Sequence, residues 1–223
     1  MVNYARWTNA ANVAALVMLY AGLFSRNALV QAVLILMPWA ALAIVWGTRG
    51  AVRIDRPRRV SRKPNLAAMF AMPAFALSGA SLISVHVLRW TEAVLPAMLL
   101  GTALLAAAIW TERHLRRVTW GLTPFIVLAA MYGIGTSVQA NVLLDRSEPR
   151  IFRAPVEGKR VVRGKSTEYR LQLGEWGPRA AGSSCSVPFP LYNATRPGAP
   201  VCIGLRGGAL AIRWYTVEPC GTE

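Results

Sequence analysis

The stretch GLTPFIVLAAMYGIGTSVQANVLL, residues 121–144, contains no Asp, Glu, Lys or Arg. A helix rising 1.5 Å per residue crosses the roughly 30 Å hydrocarbon core of a bilayer in about 20 residues. This stretch is long enough, and 28–47 is equally free of charge. Over all 223 residues the hydrophobic fraction is 54% and the charged fraction 16%. Soluble domains carry roughly 25% charged residues. The composition therefore predicts a polytopic α-helical membrane protein.

Working outward from 121–144, the apolar runs give about five transmembrane helices, at about 7–24, 28–47, 66–88, 93–110 and 121–144. Together they form a helical domain over 1–144. Only Ser25, Arg26 and Asn27 separate the first two, enough for a tight helical hairpin. One continuous helix over 7–47 would reach about 60 Å, too long for one bilayer. No A-x-A-like site follows Phe24 before the second run begins, so the first is expected to be an uncleaved anchor.

The loops set the expected orientation. Residues 48–65 carry Arg49, Arg53, Arg56, Arg58, Arg59, Arg62 and Lys63 against Asp55, and 111–120 carry Arg113, Arg116 and Arg117 against Glu112. The opposite connections, 25–27 and 89–92, hold one Arg each. Excess Lys and Arg in short loops marks the cytoplasmic side. The N-terminus is then inside and everything after Leu144 outside. The Ala- and Arg-rich usage resembles a bacterial chain from a GC-rich genome. On that reading the chain is a multi-pass protein of the inner (cytoplasmic) membrane, and its C-terminal module is periplasmic. The net charge of +15 is then a consequence of topology. Nucleic acid is not an expected partner, because no familiar nucleic-acid-binding pattern surrounds the basic residues.

Beyond Leu144 both charge signs, Gly and Pro return, and 145–223 reads as a small antiparallel β module. Strands are expected at 159–163 and 166–176, where Tyr169, Leu171 and Leu173 alternate with Arg170 and Gln172. Residues 177–184 read as a loop and 194–200 as a turn. Val201, Ile203 and Leu205 begin a hairpin whose turn is expected at Gly207-Gly208.

All three cysteines, Cys185, Cys202 and Cys220, lie in this tail. An oxidising exterior permits a disulfide, and a module this small gains from one. Cys202–Cys220 is the favoured pair, with Cys185 an alternative partner for either. A turn at Gly207-Gly208 would set Cys202 opposite Arg213, so the favoured pair would need a fold-back at Pro219. Zinc is not expected: His86 and His114 lie far upstream, and no C-x-x-C occurs.

No catalytic, cofactor-binding or metal-binding constellation is present. The five spans hold no Asp, Glu, Lys or Arg; their larger polar residues include Gln31, His86, Gln139 and Asn141. These read as interhelical hydrogen bonds or wet helix ends, with His86 at an interface. Ser78, Ser81 and Ser84 read as a close-packing face, and Pro38, Pro73, Pro96 and Pro124 as bends or helix starts. Glu157, Glu168 and Glu175 are not paired by any spacing. Trp176, Trp214 and Tyr215 are assigned to the module's core.

The tail YRLQLGEWG…PGAPVCIGLRGGALAIRWY…C resembles the C-terminal module of uncharacterised bacterial multi-pass inner-membrane proteins, over about a third of the chain. That resemblance implies a periplasmic β module and no activity. The expected role is a non-enzymatic anchor or accessory protein that presents this module to a protein partner or envelope ligand. The alternative is an oligomeric small-solute transporter or channel subunit.

Overall fold

The structure, a computed structural model, describes residues 4–25, 27–54, 64–112, 119–164, 167–180 and 182–220. It divides into a helical unit, 1–85 with 89–144, and a sheet unit, 86–88 with 145–223.

Five helices of the first unit are long and apolar enough to cross a membrane. They are α1 (Tyr4–Phe24), α2 (Ala28–Gly47), α3 (Ala67–Ser84), α4 (Thr91–Thr111) and α5 (Thr119–Leu143). The expected third span, 66–88, is too long: the helix stops at Ser84 and His86–Val87 leaves it as a strand. Helices α1 and α4 also reach past their expected starts, taking in Arg6 and Glu92.

Polar side chains close the helix ends. Asn27 Oδ1 accepts from Leu29 N at 2.8 Å and starts α2, satisfying a backbone donor that the helix itself leaves unpaired. The start of α3 has no cap from Leu66, its own N-cap residue. Asn12 of α1 supplies one instead: its Oδ1 accepts from Ala68 and Met69 N, and its Nδ2 donates to Asn65 O. At its C-terminus α2 is stopped by Arg49 (φ 48°) and Gly50 (φ 82°), successive left-handed residues.

Small residues let the helices approach closely. A Cβ on Gly133 would overlap the carbonyl of Ala97, and one on Gly135 would overlap Ser78 N and Leu77. Side chains at those two positions would push α5 away from α4 and α3. Pro38, Pro73, Pro96 and Pro124 all sit inside helices. Trp39 Nε1 donates to Tyr132 Oη, which donates to Ile35 O, tying α5 to α2.

The sheet unit is antiparallel, ordered β1-β6-β5-β2-β3-β4. Its strands are β1 (His86–Val87), β2 (Arg150–Arg163), β3 (Thr167–Leu173), β4 (Ser183–Val187), β5 (Pro200–Arg206) and β6 (Trp214–Pro219). A short helix, α6 (Phe189–Ala194), follows β4. Strand β2 serves two ladders. Residues 150–155 pair with β5, and from Val156 onward it pairs with β3. Pro155 faces Pro200 where the first ladder ends, since neither can donate a backbone hydrogen bond. An irregularity between Val156 and Gly158 then marks the change of partner.

Four expectations for the tail are corrected. The strand expected over 159–163 begins at Arg150, and the one expected over 166–176 ends at Leu173. The loop expected over 177–184 ends early, because Ser183 already starts β4. The hairpin does not turn at Gly207-Gly208: Arg206 pairs with Trp214, leaving 207–213 as the loop. That loop buries Ile212 completely, and the resulting register sends Tyr215 and Val217 inward. One core results, built on Val156, Leu171, Leu173, Trp176, Cys185, Ile203 and Tyr215.

Candidate functional site

Strand alternation sorts the sheet's residues onto two faces. Leu171 and Leu173 of β3, with Cys185 and Val187 of β4, face the core. Glu168, Arg170 and Gln172 of β3 face the other way, as do Ser184 and Ser186 of β4 and Arg160 of β2. On this outer face Arg160 stands directly opposite Arg170, with Gln172 opposite Gly158 and Ser184. Side chains directly opposite on antiparallel strands are roughly 5 Å apart at Cβ, so the two arginines leave the sheet side by side. Glu168 Oε2 accepts from Arg170 Nη2 at 2.7 Å and from Nε at 3.0 Å, but Arg160 is exposed. The like-charged pair costs the sheet a few tenths of a kcal/mol, up to about 1. What it provides is the exposed Arg160 fork, able to meet a carboxylate, phosphate or sulfate, beside an Arg170 already engaged by Glu168.

The inner side of the unit is an aromatic stack. Tyr215 packs edge-on to Trp176 at 5.1 Å and stacks on His86 at 5.2 Å, and Arg179 lies over its ring. His86 is therefore a member of the sheet rather than the outer end of a span. Trp176 and Tyr215 are buried, whereas Trp214 is half-buried and donates through Nε1 to Asp145 at 2.7 Å. Partial burial pushes the Asp145 carboxyl up, but Ser147, Trp214 and the Arg206 charge outweigh it and hold the group below its ordinary value.

The structure joins Cys202 to Cys220, with Cα atoms 4.9 Å apart. The seven-residue loop, 207–213, makes this straightforward: Cys202 pairs with Glu218 and Val201 with Pro219, so Cys220 follows at the strand's end. No fold-back at Pro219 is needed. Cys185 is buried, and burial pushes its thiol up to about 11 against the opposing pull of Arg179. Among the described residues no three His, Cys, Asp or Glu side chains gather.

In the helical unit the polar residues make interhelical bonds. Gln31 Nε2 donates to Gly22 and Ser25 O, closing the α1–α2 hairpin. Gln139 Nε2 donates to Ser81 Oγ, whose hydroxyl reaches Leu77 O and Gly135 O. Ser78 bonds back to Ala74 O. Asn141 is fully buried, and Ser84 is half-buried at the end of α3.

Of the basic loop, Arg49 and Arg53 are described. Arg56, Arg58, Arg59, Arg62 and Lys63 lie outside the described residues, as do Arg113, His114, Arg116 and Arg117. Arg53 is held by its backbone: its N–H donates to Pro64 O and its carbonyl accepts from Leu66 N. The sequence reading missed Glu112 as a buried carboxylate: it is 5% exposed and accepts from Ile54 N at 2.8 Å. It also missed Arg160 facing Arg170. Alternation in β3 puts Arg170 outside, but only the β2 register places Arg160 across from it.

No protein family, curated protein or solved structure matches the chain.

Proposed function

We propose that the chain is a non-enzymatic accessory protein of a bacterial inner membrane that presents its C-terminal sheet, in the periplasm, to an acidic partner or envelope polymer. The observation that carries this reading is the exposed Arg160 opposite Arg170 on the outer face of the sheet. Residues 145–223 hold twelve Lys and Arg against seven Asp and Glu, a net charge of +5, so the unit as a whole attracts anions.

Three features support the membrane assignment. Exposed Trp90 and Trp110 lie at opposite ends of α4, 20 residues and about 30 Å apart. That separation matches the two aromatic belts of a bilayer-spanning helix. The Arg-rich segment 48–65 favours the cytoplasm for the α2–α3 connection. Five alternating crossings would bring the α3–α4 connection and the tail to one side, in keeping with the pairing of His86–Val87 with β6.

The test is capture of binding partners by the full chain, extracted gently from native membrane, alongside an Arg160→Glu/Arg170→Glu double variant. The reading expects a stoichiometric acidic partner on the wild type that is lost from a double variant of unchanged thermal stability. Equal capture by both, or solute flux through liposomes containing the chain alone, would overturn it.

A further inference from the structure

A cavity of about 400 Å³ opens where the ends of α2 and α4 meet, lined by Trp46, Arg49, Arg53, Thr111 and Glu112. Its volume lies within the range of small-ligand sites. Its walls are fixed from below. Val52, Ile54 and Leu66 are buried, the backbone of Arg53 is held by Pro64 and Leu66, and Glu112 accepts from Ile54 N. Arg49 stands on the left-handed turn that ends α2, so its backbone direction is set by that turn rather than by the helix.

The depth of the cavity follows from its tryptophans. Trp46 is 73% exposed on α2 and Trp110 is 72% exposed on α4, one residue before Thr111 of the lining. Exposed tryptophans at helix ends mark the headgroup level of a bilayer. At that level the lining supplies two guanidiniums and one carboxylate, and the carboxylate already receives the Ile54 N–H. The excess charge is positive, and forked guanidiniums match the oxygens of a phosphate.

We propose that this cavity binds the phosphate of an anionic phospholipid such as phosphatidylglycerol, held by Arg49 and Arg53 at the membrane surface. Basic pockets between membrane helices are where such headgroups are retained. The lipid's chains would run along the adjoining apolar helix surface, so the site selects a membrane-embedded phosphate over a soluble one. This site is separate from the sheet face, and its binding test is independent of the partner reading; only membrane insertion is shared.

The experiment is native mass spectrometry of the full chain in detergent, titrated with phosphatidylglycerol, phosphatidylethanolamine or inorganic phosphate. One phosphatidylglycerol is expected to be retained in preference to phosphatidylethanolamine, and an Arg49→Gln/Arg53→Gln variant to bind it roughly 30-fold more weakly. Replacing Arg89, outside this cavity, is expected to leave retention unchanged. Equal retention of the two lipids, competition by inorganic phosphate at lipid concentrations, or unaltered binding by the double variant would each overturn the proposal. The lipid preference of the wild type is read without any variant, so misfolding of the double variant leaves the proposal falsifiable.

Discussion

His86, in the connection between α3 and α4, pairs with Tyr215 of β6, and their rings stack at 5.2 Å. A two-residue strand so far from the tail in sequence is thereby part of the tail's sheet. Tyr215 is buried between His86 and Trp176, so Tyr215→Ala is expected to cost about 3–5 kcal/mol of the sheet's stability. His86→Ala is expected to cost far less. A double-mutant cycle on thermal unfolding should find about 0.5–1.5 kcal/mol of coupling between the two rings. Additive effects would remove β1 from the sheet.

The Cys202–Cys220 bond closes a separation of 18 residues. On chain-entropy grounds a loop of that length contributes about 3 kcal/mol. Cys202→Ser, or reductant added to the wild type, is expected to lower the unfolding midpoint of the sheet, while Cys185→Ser should leave the reductant effect intact. A reductant-insensitive midpoint would contradict the pairing.

Cys185 reports on the core by its silence. Its thiol is raised from the ordinary 9.0 to about 11 by burial, against Arg179. At pH 8 it should resist maleimide until the sheet unfolds. Below pH 9 folded and unfolded states both keep the proton, so this group's stabilisation is complete there. Between pH 9 and 11 only the unfolded thiol ionises, and stability falls by about 1.4 kcal/mol per pH unit from this group. A stability profile that is flat or rises over that window, once other groups are accounted for, would place the thiol in water.

Gly133 and Gly135 hold α5 against α4 and α3 with no space for a side chain. Gly133→Val is expected to destabilise the helical unit by about 1–3 kcal/mol or more through overpacking. Detergent-solubilised protein should then unfold at lower temperature, with the sheet's disulfide still formed. No change in midpoint would mean the helices are not packed this closely.

The helices are legible because each is built on a long run without Asp, Glu, Lys or Arg, and the second has in the structure the bounds its run predicts. The third was read too long because Val85, Val87 and Leu88 are as apolar as the helix before them. Apolarity alone cannot separate a lipid-facing residue from one buried in a sheet. Alternation exposed β3 and β5, but β4, Ser-Ser-Cys-Ser-Val, has the composition of a loop, and only pairing with β3 makes it a strand. The hairpin register was misread because Gly207-Gly208 is a strong turn signal. The competing demand, burying both Ile212 in the loop and Tyr215 in the strand, is visible only once the fold exists. The sequence leaves Cys185 open as a partner for either of the other two cysteines; the geometry that closes Cys202–Cys220 depends on that longer loop.

The measurement that bears most directly on the whole account is membrane-impermeant maleimide labelling of single engineered cysteines in intact cells with a permeabilised outer membrane. Native background is low, since Cys202 and Cys220 are bonded and Cys185 is buried. Arg160→Cys, on the exposed face of the sheet, should label at once, and Arg49→Cys, at the end of α2, only after the inner membrane is lysed. The opposite pattern, or labelling of both together, would contradict a membrane protein that holds its sheet outside and its arginine-rich loop within.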